Sequence, residues 1–122
     1  MPRVIHFEIM ADDPERATKF YEDVFGWQTA RWDGPQSYWL MTTGPDGQPG
    51  INGGIMNRDA RFPATVNTLD VPDVDEYCEK VQRGGGRVVH PKHPVPGMGW
   101  VAYAQDTEGN TFGMFQHDPA AK

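Results

Sequence analysis

Two residues near the N-terminus have the spacing of a paired acid and base. His6 and Glu8 stand two positions apart in Val4-Ile5-His6-Phe7-Glu8-Ile9-Met10, and on a strand they share one face about 7 Å apart. An imidazole and a carboxylate so placed could exchange protons with a bound molecule, or anchor it by hydrogen bonds. They could equally pair with each other or with a neighbouring strand. Trp39, Trp100 and Tyr103 fall on candidate strands, where they could stack a flat ligand or sandwich a cation. They could also fill a core or a subunit interface. Met41, Met56 and Met114 lie on related strands, and methionine suits both adaptable pocket walls and irregular cores. Gly53-Gly54 and Gly113 either widen a cavity or permit bends in curved strands.

Other chemistry-bearing residues read more plainly. His90 and His93 bracket Pro91-Lys92 before a Pro/Gly-rich stretch and read as solvated loop residues; His117, near the C-terminus beside Asp118-Pro119, is likewise not expected to hold a metal. Cys78 falls on the apolar stripe of a helix and reads as a small buried hydrophobe rather than a nucleophile. Gly84-Gly85-Gly86 follows a helix, whereas a phosphate cradle precedes one, so no nucleotide cofactor is implied.

The elements that position these residues repeat. The first strand, Val4–Met10, puts Ile5, Phe7 and Ile9 on one face and Val4, His6, Glu8 and Met10 on the other. Asp13 is a good N-cap, Pro14 suits the first helical position, and Gly26 is the expected stop. Ala17, Phe20, Tyr21 and Val24 recur at i, i+3, i+4 and i+7 as one apolar stripe. Strands follow at Trp27–Trp32, Ser37–Thr43 and Ile51–Asn57, with turns at Asp33-Gly34-Pro35 and Gly44-Pro45-Asp46-Gly47. The order then recurs: a strand at Thr65–Val71, a cap at Asp73, and a stripe of Val74, Tyr77, Cys78 and Val81. Strands Arg87–His90, Trp100–Gln105 and Asn110–Gln116 complete the second copy. The fold class is α+β, two paired βαβββ modules at 1–57 and 65–117 joined by a linker at 58–64. Two such units are expected to curl around a shared cavity, where small-molecule sites usually sit.

Composition bounds the function. At 122 residues the chain fits a single domain that folds without disulfides or a structural metal. One cysteine allows no intramolecular disulfide and no cysteine zinc cluster, which agrees with a cytoplasmic setting. A net charge of −6 argues against a nucleic-acid partner, which demands clustered Lys and Arg. No signal peptide is evident and no apolar run approaches the ~20 residues that cross a bilayer, so neither membrane insertion nor export is expected.

The motifs carry a family resemblance. His6-Phe7-Glu8-Ile9, Asp13-Pro14-Glu15-Arg16-Ala17, Phe20-Tyr21 and Phe25-Gly26-Trp27 resemble the first module of the vicinal oxygen chelate superfamily. Gly84-Gly85-Gly86-Arg87-Val88, Pro94-Val95-Pro96-Gly97-Met98-Gly99-Trp100 and Asp106-Thr107-Glu108-Gly109-Asn110 resemble the second. This superfamily includes glyoxalase I, bleomycin-resistance proteins, fosfomycin-resistance enzymes and extradiol dioxygenases. The resemblance implies metal ligands at four positions, which fall on His6 and near Gly54, Val66 and Gly113, with Asn67 as the alternative to Val66. Only His6 carries a ligating side chain, and about three protein ligands are needed for a catalytic site. The sequence therefore reads as a small-molecule-binding protein of the glyoxalase/bleomycin-resistance type with the metal site largely lost. No cofactor is expected, although a divalent metal stays open. The expected ligand contacts are His6, Glu8, Trp39, Met41, Met56, Trp100, Tyr103 and Met114. The competing readings are a lyase or isomerase using His6, with Glu8, for proton transfer or weak metal binding, and a structural dimerisation module. The resemblance also implies a homodimer.

Overall fold

The computed structural model describes residues 1–62 and 64–122; Pro63, within the expected linker, lies outside them. Strand β1 (Val4–Ala11), helix α1 (Pro14–Phe25) and strands β2 (Gln28–Arg31), β3 (Tyr38–Thr42) and β4 (Gly53–Asn57) form the first βαβββ module. Strand β5 (Val66–Asp70), helix α2 (Val74–Arg83) and strands β6 (Arg87–Val95), β7 (Gly99–Gln105) and β8 (Thr111–His117) form the second. The α+β class and the duplicated order are those expected. Two compact units result, one of His6–Val66 and one of Asn67–Lys122 with Met1–Ile5.

In the first module the strands run β2-β3-β4-β1, with β1 parallel to β4 and the other pairs antiparallel. Helix α1 starts where the Asp13 carboxylate accepts from the Arg16 N–H at 3.1 Å. It stops where Gly26 takes a left-handed φ of 72° and donates back to the Glu22 carbonyl, a conformation that costs glycine little. The helix packs Ala17 and Tyr21, with Trp27, onto a core of Ala11, Met41 and Ile55. The expected stripe needs correction at two residues: Phe20 and Val24 are 54% and 55% exposed. The buried line runs instead through Pro14 and Thr18. Thr18 tolerates this because its hydroxyl donates to the Glu15 carbonyl at 2.8 Å, so apolar periodicity alone could not mark it.

In the second module the order is β5-β8-β7-β6, with β5 parallel to β8. Helix α2 begins at Asp73, whose carboxylate accepts from the Glu76 N–H at 3.0 Å. Its predicted stripe holds throughout: Tyr77, Cys78 and Val81 pack onto a core of Val71, Val74, Ala102, Ala104 and Met114. One strand differs from expectation. β6 runs through Pro91 to Val95, so His90 and His93 are strand residues, not loop residues. Proline lacks an N–H to give to a ladder, but β6 is an edge strand, where that loss is tolerated.

Candidate functional site

Strand alternation gives each sheet one face under its helix and one opposite it. In the first module the opposite face carries His6, Glu8 and Met10 from β1. Register places Gly54 beside Glu8, Met56 beside Met10, and Tyr38 beside Met56. Glu8 and Met10 are buried, at 6% and 5% exposure. Tyr38 Oη and His6 Nε2 share a hydrogen bond of 2.7 Å, and their rings lie nearly parallel, 14° apart. The space for this bond comes from Gly54, since a β-carbon there would fall inside the Tyr38 ring. Burial holds the His6 imidazole below its ordinary proton affinity, and the Glu8 carboxylate opposes this to a lesser degree. The ring is therefore neutral at pH 7, able to donate from one nitrogen and accept at the other.

In the second module the face opposite α2 carries Thr68, Gly113, Tyr103, His90 and His93. Thr68 stands beside Gly113, Gly113 beside Tyr103, and Tyr103 beside His90. A β-carbon at 113 would approach Thr68 Oγ1 to 2.8 Å and the Tyr103 ring to 3.2 Å. Glycine is thus required for close side-chain approach in both modules, rather than to leave space empty.

The expected contact residues divide by face. His6, Glu8, Met56 and Tyr103 lie on the faces opposite the helices. Trp39 and Met41 pack beneath α1, and Met114 and Trp100 beneath α2, the core position that the sequence left open for them beside the ligand-contact reading. Met41 and Met114 are each 1% exposed. Trp100 also donates its indole N–H to Asp118 at 3.0 Å, and the Arg31 guanidinium covers Trp39 at 4.6 Å. The reason is parity: a one-residue offset along a strand exchanges its faces. Tyr38 went unremarked in the sequence; its signal was its position in a strand whose other parity, Trp39 and Met41, reads as core. Cys78 packs against the α2 core, where burial raises its thiol pKa. Two surface hollows, of about 170 and about 320 Å³, lie elsewhere, within residues 43–52 and beside Asp70 and His117. Neither contains His6, Glu8 or Tyr38.

The metal centre implied by the resemblance does not fit these residues. Gly54 and Gly113 have no donor, their space is taken by Tyr38 and by Thr68 with Tyr103, and Val66 is apolar and 1% exposed. Among the described residues no three His, Cys, Asp or Glu side chains come together to hold an ion. No helix among them is long and apolar enough to cross a membrane.

Comparison with known proteins agrees with this architecture. A glyoxylase-like domain-containing protein of Didymella fabae is 32% identical over 110 residues, covering 85% of both chains. The lactoylglutathione lyase GLX1 of Arabidopsis thaliana is 28% identical over 127 aligned positions. That match takes in 96% of this chain but 45% of the plant protein, so the chain spans under half of that relative's length. A solved methylmalonyl-CoA epimerase, in complex with methylmalonyl-CoA and NH4+, shares the fold with a TM-score of 0.72 at 13% identity, covering 100% of this chain and 99% of that one. The family model that matches residues 3–114 is the Glyoxalase/Bleomycin resistance protein/Dioxygenase superfamily, and the chain belongs to that superfamily.

Proposed function

We propose that this protein binds a small polar organic molecule on the His6/Glu8 face of its first module, without the superfamily's metal centre. The observation that carries the reading is the 2.7 Å bond between His6 Nε2 and Tyr38 Oη, formed over Gly54. A metal ligand at position 54 would occupy the place of the Tyr38 ring. The chain instead offers an imidazole–phenol pair and a buried carboxylate, which together can hold hydroxyl, carbonyl or amine groups. The cytoplasm and a homodimeric state, expected from the sequence, belong to the same proposal; sedimentation velocity tests the latter.

A lyase or isomerase reading is supported by one feature, the neutral, partly buried imidazole of His6, which could accept a proton from carbon. Thermal unfolding with lactoylglutathione and with methylmalonyl-CoA, the compounds named by the relatives, separates these readings. A ligand at 100 times its Kd stabilises the native state by about 2.7 kcal/mol. Binding without turnover, weakened by His6→Ala and by Tyr38→Phe, is the expected result for these or for other small oxygenated acids. Turnover lost on His6→Ala would favour the enzyme. Stoichiometric metal in the purified protein, lost on His6→Ala, would overturn the metal-free reading.

A further inference from the structure

The two rings that meet over Gly54 lie end to end. Tyr38 Oη and His6 Nε2 are 2.7 Å apart, the ring centroids 6.4 Å apart and the planes within 14° of each other. A hydrogen bond weakens steeply as its angles depart from linear, so this one depends on the tilt of the Tyr38 ring. Gly54 supports one side of that ring, since a β-carbon there would fall inside it. Support from a second direction comes from Trp32. Its ring meets Tyr38 edge to face, with centroids 6.1 Å apart and planes at 75°, an arrangement that aromatic pairs favour. The Trp32 N–H donates to the Tyr38 carbonyl at 2.8 Å, so these two residues close the turn between β2 and β3. Side chains directly opposite across such an antiparallel pair share a face. Arg31, one residue earlier, turns to the α1 side and covers Trp39. Trp32 therefore stands apart from the core of Ala11, Met41 and Ile55 beneath that helix. The indole is itself seated on a glycine: a β-carbon at position 34 would fall among the atoms of its six-membered ring.

We infer that Trp32 is a positioning residue for the His6–Tyr38 pair and that the turn at residues 33–37 regulates the ligand face through it, a role that rests on reading the His6/Glu8 face as the binding face. Three rings stand in series. Gly34 admits the indole, the indole bears on the phenol, and the phenol reaches the imidazole over Gly54. The turn is closed at its base by the Trp32–Tyr38 backbone bond and, one residue out, by the Arg31 guanidinium, which donates to the Ser37 hydroxyl at 3.4 Å. A change in the turn that moves Gly34 moves the surface on which the indole sits. Tyr38 then loses one of the contacts that hold Oη in line with Nε2. The conformation of the turn thus sets how firmly the pair is formed, and with it how the pair meets a hydroxyl, carbonyl or amine. Trp32 acts through Tyr38 rather than on the bound molecule.

The test follows the His6 ring resonances and ligand affinity in one set of variants. Trp32→Ala should move the His6 resonances in the same direction as Tyr38→Phe. Adding Trp32→Ala to Tyr38→Phe should move them no further, because residues that act as one unit are not additive; a mere loss of packing would add. Trp32→Phe, which keeps a ring for the edge contact, should restore most of the native positions. Gly34→Ala drives the indole from its seat and should act like Trp32→Ala, with no effect in the Trp32→Ala background; it decides if Trp32→Ala fails to fold. Affinity for lactoylglutathione or methylmalonyl-CoA, whichever stabilises the native protein, should fall about 3–10-fold in Trp32→Ala and in Tyr38→Phe alike, the worth of one hydrogen bond. His6 resonances unmoved in Trp32→Ala and Gly34→Ala, or additive shifts in the double variant, would overturn the inference. Affinity lowered by Tyr38→Phe but unaltered in Trp32→Ala and Gly34→Ala would also overturn it, while leaving the binding-face reading intact. No binding of either compound, with the resonances coupled as expected, would count against the binding-face reading and support the positioning role of Trp32.

Discussion

Seven residues past its N-cap, helix α1 carries Phe20, while helix α2 carries Lys80. Eleven past the cap the pair is Val24 and Gly84; twelve past, Phe25 and Gly85. The first helix therefore leaves Phe20, Val24 and Phe25 more than half exposed. In the second, Lys80 reaches Glu76 at 3.4 Å and lies over the Tyr77 ring at 4.5 Å. Both helices start on an aspartate and pack on four strands in the same connectivity. The fold thus constrains the buried line of each helix and leaves the flanking line free. The sheet faces differ in the same manner. A tyrosine fills the space over Gly54 and reaches a histidine, whereas Gly113 is closed by Thr68 and Tyr103, with two histidines beyond on the edge strand.

The sharpest way to break this comparison is through the cores. Ile55→Ala in the first module and Met114→Ala in the second should each cost about 2–5 kcal/mol, because both side chains are fully buried and truncation leaves a cavity. Urea unfolding measures it, and a loss below about 1 kcal/mol at either site would show that its helix–sheet core is not what holds that module.

A smaller effect separates the two glycines. Gly54→Ala must displace the Tyr38 ring and break its bond to His6, with an expected loss of about 1–3 kcal/mol. Gly113→Ala brings a β-carbon to 2.8 Å from Thr68 Oγ1 and 3.2 Å from the Tyr103 ring, so Thr68 must shift, but no ring is overlapped, and the cost should be less. The His6 ring resonances should move in the first variant and stay in place in the second.

The pH dependence of stability tests His6 directly. Its folded-state pKa is lowered from an ordinary 6.5, chiefly by burial, so the unfolded chain takes up the proton first. Its contribution is complete above about pH 6.5 and is lost as pH falls through the lowered folded value. His6→Gln should therefore flatten the decline in denaturant midpoint between pH 7 and 5; an unaltered profile would mean that other groups set it. The smallest effect is expected at the exposed helix line. Phe20→Lys, which copies Lys80, should alter stability by less than about 0.5 kcal/mol, and a larger loss would show that Phe20 is covered in solution.

Much of this was legible in the sequence. Caps, stops and the period of apolar residues are local, so Asp13, Gly26, Asp73 and the α2 stripe appear where the chain spells them. So does the loss of ligating side chains at positions 54, 66 and 113, which needs only residue identity. Thr18 was hidden because its hydroxyl is satisfied within the helix, and β6 because prolines read as breakers unless the strand is known to lie at an edge.

By itself, then, the sequence determined two βαβββ modules and a single ligating residue, His6, among four inherited positions. Tertiary structure alone decided which side of each strand faces its helix. That choice buried Met41 and Met114 beneath helices, packed Trp39 and Trp100 partly buried beside them, and brought Tyr38 onto His6. A bulge in β6 likewise turned His93 to the side of His90. Strand faces exchange with every one-residue offset, and that offset is set by pairing with a partner far away in the chain.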